Sequence, residues 1–200
     1  MVKKVAGVYL AAGVSSRMGQ NKLAMPWKGK PLGAYGLKAA VQSQLDRVYV
    51  ILNPNNDNQW VIPWKDCPKV RLLFCLDAEE GLAASIRCGV DRAEKEKMGA
   101  VIVQLADQPM VTTKLLNGLL RRFRMRMKGE HFIGYIRNGI IGPPILFDQT
   151  MFSDLKRLKG DKGARAIIMK QSGKGLWMKK SQAAPFIDID TIDDFRKLPR

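Results

Sequence analysis

Four runs of almost uninterrupted apolar, β-favouring residues punctuate the first half of the chain: Val5 to Leu10, Arg47 to Leu52, Val70 to Leu76 and Ala100 to Ala106. A strand with one face in water alternates apolar and polar residues, so runs without alternation must be buried on both faces. Between them lie segments with helical spacing. Pro31 opens one, with Leu32, Tyr35, Ala39 and Gln42 in step, and Leu82 to Lys95 forms another, with Leu82, Ile86 and Val90 on one face. Strands that alternate with helices predict an α/β fold, with a mostly parallel central sheet and helices on both faces.

The second half continues in the same style. Thr112 to Lys128 reads as a helix, with Leu115, Leu116, Leu119, Leu120 and Phe123 giving way to a cationic end. Strands are expected at His131 to Ile136, Ile145 to Phe147 and Phe186 to Ile189. A Gly-Pro-Pro turn is expected at 142–144, a helix around Lys162 to Lys170, and a cap at Thr191 for a last short helix. No repeat, low-complexity tract or linker interrupts 1–200, so a single domain is expected.

Composition narrows the setting. At 200 residues and 46% hydrophobic, the chain can build its own core, and disordered or disulfide-scaffold classes are excluded. Cys67, Cys75 and Cys88 form no C-x-x-C pair, which suits a reducing compartment, so the cytoplasm is expected. The apolar start after Lys3 and Lys4 contains Gly7 and Gly13 and runs into Ser15-Ser16-Arg17. It reads as a buried strand and not a signal peptide, and no run reaches the roughly 20 apolar residues of a membrane span. A net charge of +16 favours anionic partners.

In a doubly wound sheet, ligands bind beyond the C-terminal ends of the strands. Residues 11–22 follow the first strand, and small residues at Ala12 and Gly13 let backbone N–H groups approach phosphate oxygens. Arg17 and Lys22 add positive charge from the same loop. No G-x-x-x-x-G-K-[ST] or G-x-G-x-x-G occurs there, so the residues alone say "phosphate" and leave a plain structural turn open.

The string Leu10-Ala11-Ala12-Gly13-Val14-Ser15-Ser16-Arg17-Met18-Gly19-Gln20-Asn21-Lys22 resembles the L-A-A-G-x-S-x-R-M-G-x-x-K signature of the molybdenum cofactor cytidylyltransferase family, within the MobA-like NTP transferases. The likeness continues at Leu105-Ala106-Asp107-Gln108-Pro109, at Gly160-Asp161-Lys162-Gly163-Ala164-Arg165 and at Asp188-Ile189-Asp190-Thr191. The resemblance implies a Rossmann-like nucleotidyltransferase domain that joins CMP from CTP to the molybdopterin-bound molybdenum cofactor and releases pyrophosphate. It implies a role in maturing molybdenum hydroxylases such as xanthine dehydrogenase, as in the family's purine-catabolism members, with an acidic apo-enzyme as a possible client. Arg17 and Lys22 would contact phosphates, and Leu10, Ala11, Ala12 and Gly13 would lie beside the nucleotide. Gly81 and Ser85 would stand near the base. Ala12 stands where guanylyl-transferring relatives usually carry Gly, which favours CTP over GTP.

Asp107 ends an apolar strand, a poor place for a carboxylate without a cation or hydrogen bonds. By resemblance it is a magnesium ligand, with Asp188 or Asp190 as the second carboxylate. Strand alternation would place both on one face, which leaves the choice between them open. Helix capping by Asp107 or Asp190 is the plain alternative. No protein base is needed, because a phosphate monoester is already largely deprotonated near its second pKa of about 6. Arg17, Lys22 and Asp107 are therefore expected to act by charge and position.

His131 is the sole histidine and is expected to be structural. The family commonly carries Gly-His-Pro where this chain has Gly142-Pro143-Pro144, which makes acceptor recognition less secure than the nucleotide site. Lys162 and Arg165 offer an anion contact or simply a solvated helix start. Other readings are a guanylyl or sugar-phosphate nucleotidyltransferase and a non-catalytic cofactor carrier. A nucleic-acid module using Arg121 to Lys128 is disfavoured, because those cations share no helical face and no stacking platform follows.

Overall fold

The structure is a computed structural model that describes residues 3–13, 21–137, 139–179 and 186–199. Its centre is a seven-stranded sheet. The strands are β1 (Val5–Ala11), β4 (Arg47–Leu52), β5 (Val70–Phe74), β6 (Ala100–Leu105), β7 (Phe132–Arg137), β8 (Ile140–Asp148) and β9 (Gly175–Lys179), in the order β5-β4-β1-β6-β8-β7-β9. A separate two-stranded ribbon pairs β2 (Pro26–Trp27) with β3 (Lys30–Pro31). Strands β5, β4, β1 and β6 run parallel, and β8 is antiparallel to both of its neighbours. The expected α/β architecture with a mostly parallel sheet is present.

Both faces are covered, as the uninterrupted apolar runs require. Every residue of β1 is buried. Val5, Tyr9 and Ala11 face the core shared with α1 (Leu32–Gln42) and α3 (Thr113–Arg124). Ala6, Val8 and Leu10 face the opposite core, shared with α2 (Leu82–Lys95), α4 (Phe152–Lys156) and α5 (Arg165–Lys170). Helix α2 sits so close to β1 that a Cβ on Gly89 would collide with Val8, so glycine sets the helix–sheet distance there. Among the described residues no helix is long and apolar enough to cross a membrane.

Several expected boundaries differ. Helix α3 stops at Arg124, and the chain turns through Gly129, at a φ of 97°, into β7, leaving His131 just outside the strand. The Gly-Pro-Pro segment is not a turn; it lies inside β8. Pairing of β8 with β6 ends at Ile145, and its register with β7 shifts between Ile133 and Tyr135. Pro143 and Pro144 therefore occupy an irregularity where the N–H they lack is not needed by the ladder. Residues 186–190 form no strand; β9, which the sequence reading passed over, takes the place beside β7. Helix α5 starts at Arg165, after a short 3₁₀ turn at Gly160–Lys162.

Candidate functional site

The chain leaves β1 for β4 on one side and later crosses to β6 on the other, so strand order reverses between β1 and β6. Crevices at such points, beyond the strands' C-terminal ends, are where ligands bind in open α/β sheets. A cleft of about 360 Å³ opens there, walled by Leu10 to Gly13 after β1, Leu105 to Asp107 after β6, and Lys22. Its far wall is Ala78, Gly81 and Ser85. Leu10 to Gly13, Lys22, Gly81, Ser85 and Asp107 thus line one cleft, Asp188 and Asp190 do not line it, and Arg17 lies outside the described residues.

Lys22 is aimed by its neighbours. It opens the short 3₁₀ turn Lys22–Ala24, capped by Asn21, whose side chain accepts from the Leu23 N–H and donates to the Asp57 carbonyl at 2.5 Å. Leu23 anchors in the core, and Lys22 turns into the cleft. Its ammonium lies 2.6 Å from Oδ2 of Asp107 and 3.0 Å from Oδ1 of Asp190. Burial alone would lower the Lys22 pKa, but Asp107 and Asp190 outweigh burial and raise it.

Oδ1 of Asp107 is buried without a hydrogen-bond partner among the described residues, although its partner oxygen holds Lys22. A buried carboxylate oxygen without a donor is costly, and a cation arriving with the ligand would satisfy it. Asp107 caps no helix, since Thr112 caps α3. Beneath it, the Tyr9 hydroxyl donates to the Gly33 carbonyl at 2.6 Å, and burial pushes its pKa well up.

The late aspartates are set differently from each other, which corrects the expectation that strand alternation puts both on one face. The Ile189 N–H donates to the Asp107 carbonyl at 3.1 Å and docks the segment beside β6. Asp190 reaches Lys22, whereas Asp188 accepts from Gln108 Nε2 at 2.7 Å. Burial, then the charge of Asp107, raises the Asp188 pKa. Asp190 caps nothing: Thr191 and Asp194 form the capping box of α6 (Ile192–Arg196).

Two carboxylates, Asp107 and Asp190, therefore share one ammonium, and the third, Asp188, is held by Gln108. Among the described residues they do not close into a ready-made group of three metal ligands. Magnesium usually takes one or two protein carboxylates and completes its octahedron with phosphate and water, and Asp107 and Asp190 fit that number.

Sequence reasoning missed Gln108, Asn56 and Asp161. Asn56 donates to the Gly13 carbonyl at 3.2 Å, and Asp161 lines the far wall of the cleft. Gln108, beside Asp107, and Asp161, within the Gly160 to Arg165 stretch, lay in segments that carry the family likeness, whereas Asn56 gave no signal. In the Gly160 to Arg165 segment, Arg165 lines a separate apolar cavity of about 150 Å³ with Pro143, and the Lys162 side chain lies outside the described residues. Of the cations at and beyond the end of α3, Arg122 pairs with Glu130 at 2.8 Å and Arg126 with Asp148 at 2.8 Å. His131 Nδ1 lies 2.7 Å from the Thr150 hydroxyl, far in sequence from the cleft residues.

Residues 7–175 match the model of the MobA-like NTP transferase domain. The chain belongs to that family. Among curated proteins, this MobA-like chain is 37% identical to the purine catabolism protein PucB of Bacillus subtilis, covering 97% of the chain and 95% of PucB. It is 24% identical to the molybdenum cofactor cytidylyltransferase of Escherichia coli, over 94% of the chain and 92% of that protein. Among solved structures, Rv0371c of Mycobacterium tuberculosis superposes with a TM-score of 0.83 at 24% identity, covering 99% and 98% of the two chains. A manganese complex of Rv0371c gives a TM-score of 0.74 at 23% identity, covering 98% and 97%. Family membership makes the chain a nucleotidyltransferase, and its structural neighbours share the Rossmann-like fold.

Proposed function

We propose that this chain is a molybdenum cofactor cytidylyltransferase, one domain spanning 1–200, acting in the cytoplasm in maturation of a molybdenum hydroxylase such as xanthine dehydrogenase. The observation that carries the proposal is the Lys22 ammonium shared between Asp107 and Asp190 at the β1/β6 switch point. That arrangement balances cation and carboxylates where a metal–triphosphate would bring its own charges of both signs.

CTP lies along the cleft, its phosphates toward Gly13, Arg17 and Lys22 and its base toward Gly81 and Ser85. Asp107 and Asp190 would hold a magnesium ion, with Asp188 fixed by Gln108. When bound, that ion neutralises charge on the phosphates and polarises their oxygens. Lys22 exchanges its carboxylate partners for phosphate oxygens and, with Arg17, stabilises the departing pyrophosphate. The acceptor phosphate of molybdopterin attacks the α-phosphorus in line, forming one O–P bond as the bond to the pyrophosphate oxygen breaks. No side chain takes a proton, because the acceptor phosphate is already largely dianionic near neutral pH.

The names of the relatives support this reading, as does Ala12, which by resemblance stands where guanylyl-transferring relatives usually carry Gly. The test is incubation with molybdenum-loaded molybdopterin and each nucleoside triphosphate in turn, reading pyrophosphate and the mass of the pterin product. CTP is expected to give the cytidylylated cofactor; turnover with GTP but not CTP would overturn the cytidylyl assignment.

A further inference from the structure

One end of the cleft carries the Lys22 ammonium, and the opposite end carries no cation among its lining residues. There the wall consists of Ala78, Glu79, Gly81, Leu82, Ser85 and Asp161. Asp161 comes from a distant part of the chain, the turn before α5, and its Oδ1 accepts from the Leu82 N–H at 3.3 Å. It lies against Gly81, whose φ of 104° and contact with the Asp161 carboxylate both exclude a side chain at 81. Ser85 is 4% exposed and lines the same wall. A serine hydroxyl on a cleft wall can donate to a ligand atom there.

These groups present a carboxylate acceptor at Asp161, one oxygen of which takes the Leu82 N–H, and a hydroxyl donor at Ser85. The pairing edge of cytosine offers the complement: an exocyclic amino donor followed by two acceptors, N3 and O2. Uracil reverses the first two, placing a carbonyl oxygen against the carboxylate, which can only accept. We propose that Asp161 reads the exocyclic amino group of the base and thereby sets the preference for CTP over UTP. This rests on the reading of the cleft as a nucleotide site and adds to it a specificity residue from a separate element.

The experiment measures equilibrium binding of CTP, UTP and the triphosphate of 4-deaminocytidine, which lacks only the amino group, to the full chain with magnesium. Wild type is expected to prefer CTP over the deamino analogue by about ten- to hundredfold, the range of a hydrogen bond to a charged group. Asp161→Ala is expected to bind both equally. Asp161→Asn, whose amide can turn its NH₂ toward a carbonyl, is expected to gain affinity for UTP. Circular dichroism melts establish that both variants fold. An Asp161→Ala variant that keeps the wild-type preference would overturn the assignment of Asp161 while leaving the nucleotide site intact. Wild-type protein that binds none of the three would overturn both.

Discussion

The ammonium of Lys22 lies 2.6 Å from Oδ2 of Asp107, 85 positions further along the chain. Both side chains are mostly buried, at 16% and 17% exposure, so the pair is only partly screened by water. Lys22 thus holds the place a divalent cation would take beside the carboxylates, and cation and ammonium should compete.

Lys22→Met tests that competition. Without nucleotide, manganese binding by calorimetry is expected to tighten about tenfold, since a partly buried like charge at this range is worth about 1–2 kcal/mol after screening. Nucleotidyl transfer by the same variant is expected to fall at least about hundredfold, because the phosphates lose their partner. Unchanged or weaker manganese binding would show that the ammonium does not compete.

Gly81 has a φ of 104° with the Asp161 carboxylate against its Cα. Gly81→Ala forces a left-handed alanine and displaces Asp161, so a loss of about 1–3 kcal/mol in urea unfolding is expected, with weaker CTP binding. Wild-type stability and CTP affinity together would contradict the geometry at the start of α2.

Asp148 ties three parts of the chain together, accepting from Lys3 at 3.1 Å, Arg126 at 2.8 Å and the Thr150 N–H at 3.0 Å. Burial would raise its pKa, but the Thr150 amide and Lys3 outweigh burial and hold it below the usual carboxylate value. A depressed native pKa means that its stabilisation is complete above the unfolded value of about 3.9 and is lost as pH falls through the lower native one. Asp148→Asn is expected to cost about 2–3 kcal/mol at pH 7. The gap from wild type should narrow only below about pH 4. A gap that stays constant down to pH 2.5 would rule out this titration.

What the sequence made legible follows from how local each signal is. The runs that became β1, β4 and β6 needed no partner to be recognised, and Asp107 stood out as a carboxylate at the end of such a run. The alternation of Ile187 and Ile189 with aspartates imitates a strand, yet the place beside β7 belongs to β9, whose apolar run is only Leu176-Trp177-Met178 between lysines. Pro143 and Pro144 read as a turn because the irregularity that accommodates them depends on two neighbouring strands. The links from Lys22 to Asp190 and from Gln108 to Asp188 span 168 and 80 positions, and no spacing rule could reveal them. Asp161 belongs to the same class: its partner, the start of α2, is 79 residues away.

The central claim is that Asp107 supplies a carboxylate without which metal-dependent transfer does not occur. Its direct test is pyrophosphate release from CTP, with the pterin acceptor present, by wild type and Asp107→Ala across a magnesium titration. Wild type is expected to release one pyrophosphate per acceptor consumed, rising with magnesium, and the variant, folded by its melt, at least about a thousandfold less. Equal turnover by the two proteins would contradict the account.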